Sequence, residues 1–68
     1  MTNLELLNEV IDNSGLKRLY IAECLGITKQ AFWKKTSGFS EWSVTQIATL
    51  QKLIGFDDET LMKIFFGR

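Results

Sequence analysis

Four residues with base-contacting chemistry stand close together near the middle of the chain: Lys29, Gln30, Trp33 and Lys34. In a helix, positions three or four apart lie on one side, so this spacing leaves all four side chains facing outward together. Lysine donates hydrogen bonds to guanine O6 or N7, and glutamine pairs with both N6 and N7 of adenine. The set therefore favours contact with base edges in the major groove of double-stranded DNA.

Trp33 itself has two interpretations. Its indole either packs against thymine methyl groups or sugars, or it folds back into the core of the protein. We favour the exposed or DNA-facing indole.

A second set of residues suits phosphate groups. Lysine and arginine side chains, together with backbone amides at helix ends, are frequent phosphate donors. Lys17 and Arg18 begin one predicted helix, with the alternative that they are two solvated bases on an exposed end. Lys35 can bury its stem while its ammonium extends outward. The predicted phosphate contacts are Lys17, Arg18, Thr28, Lys35 and Ser37.

Five glycines divide the chain into segments with helical apolar spacing. Each glycine stands where a left-handed residue would end a helix, and the chain has no proline and no sustained apolar–polar alternation. The sequence therefore predicts one all-α domain over residues 1–68, with a helix-turn-helix at about 17–36. The five predicted helices are Asn3–Asn13, Lys17–Leu25, Lys29–Thr36, Val44–Ile54 and Asp58–Phe66.

The second and third predicted helices meet at a tight turn at Gly26. Ala22 is small enough to let the two helices cross closely. Thr28 is predicted to cap the third helix by accepting from an amide two or three residues later. Ile27 and Phe32 have the spacing of a hydrophobic staple, which sets the angle between the turn and the third helix.

The other three helices are interpreted as scaffold. Thr2 with Glu5, and Ser43 with Gln46, have the spacing of capping boxes, and Asp57 is predicted to cap the last helix. Val44 is predicted to begin the inward stripe of the fourth helix. The predicted packing residues between the third and fourth helices are Phe39 and Trp42.

The match to a known family extends from Gly15 to Gly38. The matching residues are Ile21-Ala22-Glu23, Leu25-Gly26-Ile27-Thr28, Phe32 and Ser37-Gly38. This pattern resembles the helix-turn-helix of the lambda-repressor/Cro-like (Xre-type) family of phage and bacterial regulators. The resemblance implies a compact five-helix lambda-repressor-like domain and a sequence-specific transcriptional regulator of Cro/repressor type. It also implies that the segment at about 29–36 is the recognition helix, lying in the major groove of an operator. The base-reading residues that the resemblance implies are Lys29, Gln30, Trp33 and Lys34.

The chain departs from the family pattern at three places. Lys17 stands where Thr or Ser is common, Lys35 stands where an apolar residue is common, and the loop after Gly38 carries Glu41 in place of basic residues. These departures and the zero net charge leave an alternative, a protein-interaction module such as an antirepressor or modulator that binds another regulator. The aromatic residues that support this alternative are Trp33, Phe39 and Phe66.

The charges are unevenly distributed although they cancel. Residues 1–15 have a net charge of −3, residues 16–38 a net charge of +4 and residues 39–68 a net charge of −1. Positive charge is therefore concentrated in the segment assigned to DNA.

Leftover apolar residues on the last helix favour a homodimer, with the alternative that Phe66 covers the core of a monomer. The predicted dimer residues are Met62, Phe65 and Phe66.

Composition also excludes several classes of protein. With one Cys and no His, the chain has neither a disulfide framework nor an ordinary zinc site. Cys24 has no activating base nearby in sequence, so we expect no enzyme activity, no cofactor and no small-molecule ligand. No apolar run approaches the ~20 residues of a membrane span. We expect a cytoplasmic protein of a bacterium or a phage-infected cell.

Overall fold

A computed structural model describes residues 2–67, and within that range the chain forms helices and no strand. The helices are α1 (Leu4–Asn13), α2 (Arg18–Leu25), α3 (Lys29–Thr36), α4 (Val44–Ile54) and α5 (Asp58–Phe65). The prediction of an all-α, five-helix fold is confirmed, and each predicted end lies within one residue of the observed one. None of these helices is long and apolar enough to cross a bilayer.

Every helix contributes to a single apolar core. Burial of such side chains is the main favourable term in folding, so the core determines which side of each helix faces inward. The fully or almost fully buried members are Leu7, Ile11, Ile21, Ala22, Phe32, Leu50, Ile64 and Phe65. Around them lie half-buried apolar residues, among them Ile27 and Trp42.

The turn between α2 and α3 has the predicted left-handed residue. Gly26 has a φ of +73°, and its amide donates to the carbonyls of Ala22 and Glu23. The amide of Ile27 also donates to the Ala22 carbonyl, at 3.0 Å. These bonds satisfy the carbonyls left open at the end of α2 and turn the chain directly into α3.

Four helices begin at a side-chain cap. Thr28, Ser43 and Asp57 each accept from the amide three residues later, and Ser43 with Gln46 forms the predicted capping box. The predicted Thr2–Glu5 box at α1 is wrong, because Asn3 is the cap and its side chain accepts from the Leu6 amide at 3.0 Å. The backbone explains the difference: the Asn3 amide donates to the carbonyl of Ile64 in α5, which holds Asn3 extended just before the helix.

Two apolar residues predicted to pack inward are instead exposed. Val44 is 83% exposed, because the first turn of α4 extends past the core, and the inward side of α4 begins further along at Ile47. Phe39 is 74% exposed and lies outside the core. Trp42 does pack as predicted, edge-on against the rings of Phe32 and Phe65.

Of the three residues predicted for a dimer surface, one lies in the core and two lie at the surface. Phe65 is only 7% exposed and packs against Trp42, so it is a core residue and is not available to a partner. Met62, in the middle of α5, and Phe66, directly after it, are exposed. The helix periodicity explains the split, since Phe65 follows Ile64 on the side that faces α1 and Trp42.

Candidate nucleic-acid interface

The outward side of α3 carries the four predicted base-reading residues. Lys29, Gln30, Trp33 and Lys34 are all exposed, and we call these four residues the α3 outer face. At 3.6 residues per turn they span an arc of about 140° around the helix axis. The tertiary structure therefore leaves this side of α3 open and brings the four side chains together.

The inward side of α3 holds that face in position. Phe32 is only 2% exposed, and Thr36 is buried with its hydroxyl donating to the Trp33 carbonyl at 3.1 Å. The Asn8 side chain of α1 donates to the Thr36 carbonyl at 3.0 Å and to the Leu4 carbonyl at 2.8 Å. Sequence reasoning missed this link from α1 to the last turn of α3, because the two residues are 28 positions apart.

The first turn of α3 is electrostatically unusual. Lys29 is its first residue, and the turn contains no acidic side chain. A helix N-terminus carries partial positive charge. A cation placed there therefore destabilises the helix by about 0.3–1 kcal/mol, whereas an anion would stabilise it. Thr28 is exposed and its hydroxyl oxygen accepts from the Ala31 amide at 3.0 Å. This end of α3 would be stabilised by an external anion.

The start of α2 has a similar character. Lys17 occupies its cap position, and among the described residues no side chain accepts a hydrogen bond from its first amides. Lys17 is exposed, as a phosphate contact requires. Tyr20, in the first turn of α2, is also exposed, and hydrogen bonding with Cys24 raises the pKa of its hydroxyl.

Arg18 is engaged within the protein. Its guanidinium lies 2.8 Å from the carboxylate of Asp12 in α1, in an exposed ion pair. The sequence contained no signal for this contact, because it depends on how the turn between α1 and α2 brings the end of one helix beside the start of the next. Exposed pairs of this kind contribute at most about 1 kcal/mol, so a phosphate can compete for the guanidinium.

Lys35 is positioned differently from its prediction. Its ammonium donates to the Glu41 carbonyl at 2.7 Å and lies 5.9 Å from the centre of the Trp42 ring. Its stem is half-buried, as predicted, but its charge is directed to the loop that follows α3. Lys35 therefore joins α3 to that loop, and the phosphate role has to compete with these contacts.

The backbone at the end of α3 is also occupied. The Ser37 amide donates to the Trp33 carbonyl, and the Phe39 amide donates to the Lys34 carbonyl, both at 2.9 Å. Between them, Gly38 has a φ of +88°, which a side chain would resist. These two amides satisfy the helix end, so neither is free to bind a phosphate at Ser37.

Trp33 and Phe39 form an exposed aromatic pair. Their ring centres are 5.6 Å apart and their planes differ by 24°, which is a stacked arrangement. Trp33 is 58% exposed, so the predicted outward orientation of its indole is confirmed. Sequence reasoning did not connect the two residues. The only signal was an aromatic residue directly after the Ser37-Gly38 helix end, where the chain turns back over the last turn of α3.

The fold and this surface define a small all-helical domain that displays a basic, aromatic helix outward. Comparison with protein-family models, curated proteins and solved structures gave no match for this chain. Its function is therefore inferred from the geometry and chemistry of the α3 outer face.

Proposed function

We propose that this protein is a sequence-specific DNA-binding transcriptional regulator of Cro/repressor type. The observation that carries the proposal is the α3 outer face, whose lysine, glutamine and tryptophan side chains are all exposed on one side of a capped helix. With its side chains, the helix α3 is a rod about 10–12 Å in diameter, and B-DNA has a major groove about 12 Å wide. The rod and groove therefore match in scale.

Base contacts come from the first turn of α3 in this proposal. Lys29 donates to guanine O6 or N7, and Gln30 pairs with adenine N6 and N7. Lys34, one turn after Gln30, reaches either a base edge or the flanking phosphate. These groups are exposed before binding, so docking requires no rearrangement of the core.

Phosphate contacts flank the groove in the same arrangement. Lys17 and the open amides of α2 approach one strand, where a phosphate would satisfy the donors that lack a side-chain cap. Arg18 joins them by exchanging the Asp12 carboxylate for phosphate. Thr28 remains able to donate its hydroxyl proton, because its oxygen acts only as acceptor in the cap.

The neutral net charge determines how the protein would bind. Long-range attraction to DNA is weak when charges of both signs cancel, so non-specific affinity is expected to be low. Specific contacts from the α3 outer face then supply most of the discrimination. Two copies joined through Met62 and Phe66 would read half-sites about 34 Å apart.

Selection from random duplexes, followed by footprinting at stated salt, tests the proposal. Gln30→Ala should relax the preference at one base position, at a cost of about 1–3 kcal/mol. Gln51→Ala is the matched control, because that side chain donates to Asp58 at the junction of α4 and α5. Failure to select any duplex would refute the proposal. An unchanged footprint with Gln30→Ala would remove Gln30 from the base-reading set.

A protein-interaction module is the second candidate. A cleft of about 570 Å³ lies beside the loop after α3, with Leu4, Val44 and Phe66 in its lining. Val44 and Phe66 are exposed apolar residues, which are more frequent in protein contacts than on inert surfaces. Under this candidate, Val44→Ser would abolish binding to another regulator, whereas Lys29→Ala and Gln30→Ala would have no effect.

A further inference from the structure

We propose that the stacked pair of Trp33 and Phe39 is a single apolar platform that recognises the 5-methyl group of thymine. The inference rests on the proposed DNA-binding function and names the chemical group that one part of the α3 outer face detects. Trp33 makes the contact, and Phe39 acts as a positioning residue for the indole.

The two rings are held together by the backbone and not by the core. The Phe39 amide donates to the Lys34 carbonyl at 2.9 Å, and the left-handed Gly38 directs the chain back towards Trp33. Both rings remain largely exposed. Two aromatic side chains are thus fixed against each other on the surface, one turn beyond Lys29 and Gln30.

The polarity of the platform restricts what it can recognise in duplex DNA. In the major groove, base edges present hydrogen-bond donors, hydrogen-bond acceptors and one apolar group, the thymine methyl. The ring faces of Trp33 and Phe39 carry neither a donor nor an acceptor, and the one donor of the pair, the Nε1–H of Trp33, lies at the edge of the indole and not on its face. An apolar surface beside Gln30 therefore discriminates only by covering that methyl group.

The stacked geometry argues against insertion between base pairs. Base pairs are separated by about 3.4 Å along the duplex. The paired rings have centres 5.6 Å apart, so together they are too thick to enter a base step as one unit. Stacking also restricts the indole before binding, which reduces the entropy lost when it contacts DNA.

The test replaces thymine by deoxyuridine, one position at a time, in the duplex selected by the 68-residue protein. Deoxyuridine lacks only the methyl group, so every hydrogen bond to the base is retained. Fluorescence anisotropy should show an affinity loss of about fourfold for each methyl group that the platform covers. The loss should disappear with Trp33→Ala and decrease with Phe39→Ala.

Leu19→Ala is the matched control, because Leu19 is an exposed large apolar residue of α2 to which no DNA or dimer contact is assigned. It should leave the thymine-to-deoxyuridine ratio at the wild-type value even if overall affinity changes. Circular dichroism checks that each variant folds. The comparison of thymine and deoxyuridine duplexes with the wild-type protein does not depend on the folding of any variant.

Each result decides the inference. Tight binding with a ratio of one at every thymine would overturn the platform and leave the proposed function intact. A ratio that persists in both Trp33→Ala and Phe39→Ala would assign methyl recognition elsewhere and also overturn it. Absence of salt-dependent binding to any duplex would refute the proposed function and the inference together.

Discussion

Helices α3 and α5 have the same length and the same kind of start but opposite charges. Each has eight residues and a cap whose side-chain oxygen accepts from the amide three residues later. The acceptor is Thr28 in α3 and Asp57 in α5, at 3.0 Å and 2.8 Å. The first turn of α5 contains two acidic residues, whereas that of α3 begins with Lys29.

The charges of the first turn therefore stabilise α5 and destabilise α3. The acidic turn of α5 interacts favourably with the positive end of its helix dipole, and Glu59 also pairs with Lys63 at 3.4 Å. In α3 the charge at the same position opposes the dipole. The proposed DNA-binding function would account for a lysine at this position, because the phosphates of DNA would supply an anionic partner.

Reversing the charge at the start of α3 is expected to have the largest effect. Lys29→Glu should lower DNA affinity by more than tenfold, since it removes a base donor and places a carboxylate against DNA. It should also raise the stability of the domain by about 0.3–1 kcal/mol, because the new carboxylate suits the helix dipole. Anisotropy titrations and thermal melts measure the two quantities.

Lys52→Glu, in the last turn of α4, is the control for this experiment. It changes the net charge equally but opposes the dipole at its own position, so stability should fall while base preference is retained. A Lys29→Glu variant that is destabilised and still binds would contradict the contrast between α3 and α5.

The neighbouring lysines of α3 should separate into a binding residue and a structural residue. Lys34→Ala should decrease the salt slope of DNA binding by about one while leaving the melting temperature unchanged. Lys35→Ala should cost about 1 kcal/mol of stability, because it loses the Glu41 carbonyl and the Trp42 ring. Equal salt slopes and equal melting temperatures for the two variants would remove the distinction.

Freeing Arg18 should strengthen binding modestly. Asp12→Asn removes the carboxylate that pairs with Arg18, so affinity for DNA should rise by up to about fivefold. Glu9→Gln, an exposed acid-to-amide change on the same helix, is the control for the loss of one negative charge. A rise of the same size in both variants would show that only net charge matters.

The smallest expected effect concerns the cap of α5. Hydrogen bonds from Thr60 lower the pKa of Asp57, and the hydroxyl of Thr60 contributes more than its amide. A carboxyl whose pKa is lower in the folded state stabilises the protein above its unfolded pKa, and this contribution is lost as the pH falls through the folded value. Asp57→Asn keeps a cap but does not titrate. The melting temperature of the wild type should therefore exceed that of the variant at pH 7. The gap should narrow as the pH falls below the unfolded pKa of about 3.9, and it should close once the pH is below the lowered pKa of the folded state.

Much of the fold could be predicted because its signals are local. The glycine at position 26, the cap at Thr28 and the apolar spacing of each helix depend on residues within one or two turns. The predictions that Val44 faces inward and that Thr2 caps α1 were wrong, because they depend on contacts between residues that are distant in the chain. Whether a first turn lies over the core, or which of two adjacent residues begins a helix, depends on contacts with distant elements such as the Asn3–Ile64 hydrogen bond.

The candidate site shows the same division. The exposure of Lys29, Gln30, Trp33 and Lys34 could be predicted from helix periodicity, because Phe32 identifies the buried side. The partners of the surrounding charges could not be predicted, since Arg18 at the start of α2 meets Asp12 near the end of α1 only through the conformation of the turn between them. Periodicity describes one helix at a time and contains no information about its neighbours.

The sequence by itself determined the helices, their ends to within one residue and the side of α3 that faces outward, because helix formation is decided mainly by residues close together in the chain. Only the tertiary structure decided that Lys35 joins α3 to the next loop, that Phe39 stacks on Trp33, and that Phe65 belongs to the core. Those outcomes depend on packing between elements, where an angle or shift of a few ångströms selects one partner over another.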